Sequence, residues 1–166
     1  MEKKDGDSHS MTPEVTRRAA TEQDDAFLFA LFRDVRSAEF AQARLAPAQL
    51  DFLMSIQYAG QKQTYGAQYP AGNEIVLLDG KPIGRIWLYR GAEEHHLVDI
   101  SLKTEFRNRG IGGALLAEAI AAARAAGVRL CCSVAATNEG SLRFHQRLGF
   151  QIAGRDEVYY DLAVEP

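Results

Sequence analysis

No stretch of this chain comes near the roughly 18 consecutive apolar residues of a membrane-crossing helix, and no signal peptide is recognisable. Cysteine is scarce. The two present, Cys131 and Cys132, are adjacent in an apolar run. Neighbours on a strand point to opposite faces, so a structural disulfide between them is not expected. Two reduced thiols suit a reducing cytoplasm, which is the expected location. A basic surplus is also missing: 19 Lys and Arg stand against 22 Asp and Glu, for a net charge of −3. That argues against a nucleic-acid binder. The four histidines, His9, His95, His96 and His145, and the two cysteines lack zinc-site spacing, so no metal is expected. Internal repeats, low-complexity tracts and interdomain linkers are absent. The 166 residues suit one domain, large enough to bury a core without staples. That domain is expected over residues 11–166, with the polar residues 1–10 as a disordered leader or a cloning scar.

What is present concentrates at one turn. The run Arg107-Asn108-Arg109-Gly110-Ile111-Gly112-Gly113 follows an apolar strand, Leu97–Leu102, and opens an alanine-rich helix over 110–126. The first N–H groups of a helix lack internal partners and carry the positive end of its dipole. Glycines let that backbone close on a phosphate, and arginines add fixed charge. The turn therefore reads as an anion site. Two familiar phosphate motifs fail here. A P-loop needs Lys-Ser or Lys-Thr after its glycines, and Lys103-Thr104 precedes them. A dinucleotide fingerprint needs a third spaced glycine, but Gly110-Ile111-Gly112 continues as Gly113-Ala114-Leu115.

The remaining pattern, Arg-x-x-Gly-x-Gly directly after a strand, resembles the acetyl-CoA pyrophosphate loop of the GNAT superfamily of N-acetyltransferases. A second segment strengthens the resemblance. Asn138-Glu139-Gly140-Ser141-Leu142-Arg143-Phe144-His145-Gln146-Arg147-Leu148-Gly149-Phe150 is similar to the family form of Asn, a small residue, then Phe-Tyr-x-Lys/Arg-x-Gly-Phe. His145 stands where the family most often has Tyr.

Hydrophobic periodicity gives the order β, α, α, β, β, β, α, β, α, β, β. A first strand is expected over 14–19, and a helix starts after Thr21. A second helix opens at Pro47, with Leu50, Leu53, Met54, Gln57 and Tyr58 on one side, and ends across the Tyr- and Gln-rich 63–70. A hairpin turns at Asp79-Gly80. The strand over 128–134 reads as central and buried on both faces. The last helix covers 138–148, followed by strands over 150–153 and 158–162. That is the order of the GNAT fold, a single α/β domain with a mixed, mostly antiparallel sheet flanked by about four helices.

The resemblance implies acetyl-CoA as acyl-donor substrate and a primary amine, on a small molecule or a peptide, as acceptor. Backbone N–H groups of Asn108, Arg109, Gly110, Ile111, Gly112 and Gly113 would face the pyrophosphate, with Arg107 and Arg109 pairing with phosphates. Ile100, Ser101 and Leu102 would pair with the pantetheine amides, and the Leu102 N–H is the implied oxyanion donor. Asn138 is implied as a cofactor contact. The family Tyr is placed to protonate the leaving thiolate, which leaves three roles open for His145: acid, binding residue, or inert helix residue. For the base, Ser133 occupies one family position and excludes it, while His96 occupies another. Asp99, ionisable within an apolar run, needs a partner and is the joint candidate. Acceptor-pocket candidates are Glu39, Phe40, Tyr58, Tyr65, Tyr69 and Trp87. A homodimer paired through the C-terminal strands is also implied. Two rival readings are a non-catalytic acyl-CoA sensor of the same fold and a nucleotide-binding domain using the same loop.

Overall fold

The computed structural model describes residues 14–41 and 44–166, so the expectation for residues 1–10 lies outside the described residues. The elements are β1 (Val15–Ala19), α1 (Asp25–Phe40), α2 (Pro47–Gln68), β2 (Asn73–Leu78), β3 (Lys81–Arg90), β4 (Glu94–Leu102), α3 (Ile111–Ala125), β5 (Arg129–Ala135), α4 (Glu139–Arg147), β6 (Gln151–Arg155) and β7 (Tyr159–Val164). The strands form one sheet in the order β1-β2-β3-β4-β5-β7-β6. β4 and β5 are parallel and joined through α3, and every other neighbouring pair is antiparallel. This is the mixed α/β architecture expected from the sequence.

Local chemistry sets the boundaries. Asp79 and Gly80 both have positive φ, 48° and 77°, as the tight β2–β3 hairpin demands. Thr21 starts the first helical region through a short 3-10 turn, with its N–H and hydroxyl donating to the Asp24 carboxylate. Gly127, at φ 68°, stops α3. α2 runs longer than the sequence suggests. Gln63, Ala67 and Gln68 are good helix formers, so the 63–68 stretch continues the helix until Pro70 prevents it.

Two cores occupy the two faces of the sheet. Ile75 and Val76 are neighbours in β2, yet Ile75 packs with Leu28, Phe32, Met54 and Tyr58 from α1 and α2. Val76 packs instead with Leu115, Leu116 and Ile120 of α3. Alternation along the strand thus separates the helix layers. β5 corrects the sequence reading. It is central in the sheet, but only Leu130, Cys132 and Val134 are buried, while Ser133 is exposed and Cys131 half-buried. α3 covers one face of β5, and α1 and α2 serve the other half of the sheet, so the second face of β5 is open.

Candidate active site

β4 carries a bulge. Trp87 is paired with Asp99, but Leu88 is paired with Leu97, which leaves Val98 as the extra residue. The bulge places Asp99 on the same face as His96, which simple alternation would not do. Beyond it the sheet forks. The β4–β5 pairing runs from Glu94–Arg129 to Leu97–Cys132 and stops, while β4 continues to Leu102. The Lys103 N–H donates to the Ile83 carbonyl at 2.9 Å. By ladder alternation Ser101 directs its backbone groups at Arg85, and Ile100 and Leu102 direct theirs into the fork. The Leu102 carbonyl accepts from Arg107 Nε at 2.8 Å.

At the end of β4 the chain turns through Asn108 (φ 59°) and Gly110 (φ 79°) into α3. The first helical bond is Ala114 N–H to the Gly110 carbonyl. The N–H groups of Ile111, Gly112 and Gly113 therefore have no helical acceptor. They border a cavity of roughly 720 Å³ lined by Ile100, Ser101, Leu102, Arg107, Asn108, Gly110, Gly112, Gly113, Asn138, Gly140, Ser141, Phe144, His145, Arg147, Leu148 and Val35. Most residues expected from the sequence to contact the cofactor thus converge. Two do not line it: the Arg109 guanidinium lies over the Phe106 ring at 5.4 Å, and the Ile111 side chain packs on the main core. Arg147 was not singled out, although it holds the basic position of the second motif. Asn138 caps α4, its side-chain oxygen accepting from the Ser141 N–H at 3.0 Å.

Asp34 of α1 was missed altogether. Its carboxylate accepts from the Thr104 N–H and hydroxyl, both at 2.9 Å, and from Arg107 Nη2 at 3.1 Å. One side chain thus ties α1 to the end of β4 and to Arg107. Asp34→Asn should weaken acetyl-CoA binding about tenfold while leaving the fold intact. Loss of one charge-assisted bond contributes on the order of 1.5 kcal/mol, and titration calorimetry checks it.

His145 is buried, and its Nδ1 lies 2.8 Å from the Ser141 carbonyl. A carbonyl only accepts, so Nδ1 carries the proton and Nε2 is left as an acceptor in the neutral ring. Burial lowers the pKa of His145 below the ordinary histidine value, partly opposed by that carbonyl. Edge contacts with Phe144 and Phe150 fix the ring.

On the opposite face of the sheet, Asp99 finds its partner in Arg85. Arg85 Nε donates to Asp99 Oδ2 at 2.9 Å, the Ser101 hydroxyl donates to the same oxygen, and Arg85 Nη2 donates to Gln61. Arg85 is 8% exposed, so Asp99→Ala leaves a buried cation unmatched. The expected loss is about 3 kcal/mol of unfolding free energy, read by urea denaturation, with a smaller loss in an Arg85→Met/Asp99→Leu double variant. His96 stacks on Tyr69 at 4.7 Å between centroids. Burial lowers its pKa, while Glu94 and Asp161 pull it upward. Of the proposed acceptor residues, Tyr65 and Tyr69 border this open face. Tyr58 and Trp87 are core residues, the first bonded to Asp25 and the second to the Ala71 carbonyl. Glu39 pairs with Arg36, and Phe40 packs on the second core. Among the described residues, no cluster of His, Cys, Asp and Glu is arranged to hold a metal ion, and no helix is long and apolar enough to cross a membrane.

Comparison with known proteins agrees with this geometry. Residues 31–150 match the model of the acetyltransferase (GNAT) family. A stretch of 85 residues is 34% identical to an uncharacterized N-acetyltransferase of Methanocaldococcus jannaschii, covering 46% of this chain and only 38% of that protein. The fold is similar to that of the PaiA N-acetyltransferase from Thermoplasma acidophilum in complex with coenzyme A. That likeness has a TM-score of 0.71 and 19% identity over 92% of this chain and 99% of the other. It is also similar to a GNAT family acetyltransferase from Elizabethkingia anophelis with acetyl-CoA bound, at TM-score 0.59 and 18% identity over 92% and 98% of the two chains.

Proposed function

The chain belongs to the acetyltransferase (GNAT) family, and from that premise we propose that it is a single-domain acetyl-CoA-dependent N-acetyltransferase. Its acetyl group passes to a primary amine by direct attack. The observation that carries this reading is the continuity between the unpaired N–H groups at the start of α3 and the β4–β5 fork. A pyrophosphate at the helix start would leave a pantetheine arm lying along Ile100 and Leu102, where strand-like amide pairing is open. Arg147 joins Arg107 as a phosphate partner, since both line the cavity, Asp34 holding Arg107 in place. Asn138 contacts the arm near the start of α4.

The reacting end lies further from the loop. Leu102 sits at the phosphate end, six residues, or roughly 20 Å of extended strand, from His96. Ile100 lies closer to the bulge, and its N–H points into the fork. We therefore assign the oxyanion to the Ile100 N–H rather than to Leu102. The neutral amine attacks the thioester carbonyl, the N–C bond forms, and the oxyanion is held at Ile100. As the C–S bond breaks, the amine proton passes to His96 directly or through a water. Asp99 is already bonded to Arg85 and Ser101, so it orients the strand, and His96 takes the base role.

Of the three roles open to His145, the geometry favours a binding one. A neutral ring with its proton turned to a helix carbonyl offers Nε2 as an acceptor, not a proton. A thiolate with a pKa near that of cysteine, about 8.5, leaves without an obligatory acid. The same observation supports a second reading, an acyl-CoA sensor without turnover. Thiol release from acetyl-CoA in the presence of an amine panel separates the two. Sustained release supports the transferase, and binding without release with any amine supports the sensor. In this reading the protein works in the cytoplasm, as its two free thiols suggest. It pairs as a homodimer through the edge strand β6, where Ile152 is exposed.

A further inference from the structure

The open face of the sheet has a chemistry of its own, and it speaks to the acceptor. Register defines which residues share that face. His96 is paired with Cys131, and Ser133 with Asp161. Cys131 and Ser133 are two apart in β5 and point the same way. Tyr69, at the end of α2, stacks on His96 from above. Tyr65, one turn earlier, meets Trp87 edge-on. These residues share one open face, with the aromatic rings on one side, the His96 base between and Asp161 on the far side.

Charge accounting on this face leaves one sign over. Glu94 is held by Arg129 through bonds of 2.9 and 2.7 Å. Asp99 is held by Arg85. Asp161, among the described residues, accepts only the Ser133 hydroxyl, at 2.9 Å through Oδ1. Its Oδ2 is left room because residue 154 is a glycine, whose absent Cβ would lie 3.3 Å away. Arg155 on β6 does not neutralise it: Arg155 is in register with Tyr160 and lies over that ring on the opposite face. His96 is held neutral by burial, and burial raises the Cys131 thiol to about 11 and lifts Tyr65 and Tyr69 above the ordinary tyrosine value. Glu165, just past β7, acts on the Arg129 guanidinium that also holds Glu94, whereas His96 feels only Glu94 and Asp161. The face therefore presents aromatic rings, a neutral base and, next to that base, one carboxylate with no cation of its own among the described residues.

We propose that the acceptor is a small dicationic molecule, a primary amine carrying a second ammonium on an aliphatic chain, and that Asp161 is the residue that selects it. This inference rests on the transferase reading above. The reacting amine must shed its own charge to attack, so a carboxylate beyond the base is matched only by another cation on the same molecule. The aromatic wall suits the chain between the charges, and its ring faces attract the cation as it enters. An anionic acceptor would meet the same carboxylate as a like charge.

The test is a series of equal length that differs at the far end: 1-aminobutane, 1,4-diaminobutane and 4-aminobutanoate, each with acetyl-CoA and read by thiol release. A peptide with a free N-terminus followed by lysine is added to separate a small diamine from a basic peptide. For an exposed carboxylate, the preference expected for diamine over monoamine in kcat/KM is up to about fivefold, weakening with added salt. 4-Aminobutanoate falls below both. Asp161→Asn brings the diamine-to-monoamine ratio close to one by raising the diamine KM, with the acetyl-CoA KM unchanged. Asp161→Glu, which keeps the charge, retains the preference. Equal ratios in wild type and Asp161→Asn overturn the inference and leave the transferase reading standing. Preference for the peptide over the diamine overturns the small-molecule assignment. If no amine releases thiol, the transferase reading itself falls and takes this inference with it.

Discussion

Gly113→Glu abolishes acetyl-CoA binding, by two orders of magnitude or more in Kd, while thermal stability stays level or rises. The two halves of this expectation come from the same position. A Cβ built on Gly113 meets nothing within 4 Å, so a side chain enters open space. Gly113 also lies in the first turn of α3. There glycine costs about 0.5–1 kcal/mol relative to a residue with a side chain, and a carboxylate is favoured by the helix dipole. Folding gains from the substitution. The donor loses, because the new carboxylate occupies the unpaired N–H groups that would otherwise meet the pyrophosphate. Calorimetry with acetyl-CoA alongside a melting curve checks both halves. Unchanged binding would show that the donor does not lie across this helix start. Lost binding together with lost stability would indicate a folding defect rather than a blocked site.

His96→Gln should reduce kcat/KM for the amine by about 10²- to 10³-fold, the usual contribution of a positioned base. Acetyl-CoA binding should stay the same. The pH dependence makes the assignment specific. Burial, the largest influence on His96, lowers its pKa below the ordinary value of about 6.5. A base must be deprotonated to act, so kcat/KM holds through neutrality and declines only as pH falls below that depressed value. In the variant the acid limb due to His96 disappears. A variant with wild-type rate and the same acid limb would move the base elsewhere. An Asp99→Asn variant then becomes informative, because loss of rate there with an intact His96 limb would restore Asp99 as the base.

Sequence and structure agree where the information is local. Arg107 to Gly113 could be read as an anion turn because strand, glycines and helix are contiguous. Asp79-Gly80 announced its hairpin. Three features of the site were not legible, for distinct physical reasons. The Arg85–Asp99 pair depends on β3–β4 register and on the bulge at Val98, and an extra residue in a ladder leaves no mark in an apolar run. Arg85 itself was the available hint, a lone cation within Ile83–Leu88. The Asp34–Arg107 bond joins residues 73 apart, a tertiary contact that no periodicity encodes. The open face of β5 was misread because Leu130–Val134 is mostly apolar, and composition alone does not say how many faces a helix layer covers. Ser133 was the residue out of keeping with burial on both sides, and it leads to Asp161.

His145 illustrates the opposite case, where a departure from the family pattern was plain in the sequence but its meaning was not. Its role depends on which nitrogen holds the proton. That is set by the Ser141 carbonyl one helical turn away, a partner with no alternative as an acceptor.

The central claim is that this cavity and fork hold an acyl-CoA donor, and calorimetric titration of the full chain with acetyl-CoA, with ATP as the control, tests it most directly. The account predicts saturable binding of acetyl-CoA at one site per chain, with ATP far weaker because it lacks the pantetheine arm that Ile100 and Leu102 would pair with. Absence of acetyl-CoA binding, or ATP binding of equal strength, would contradict it.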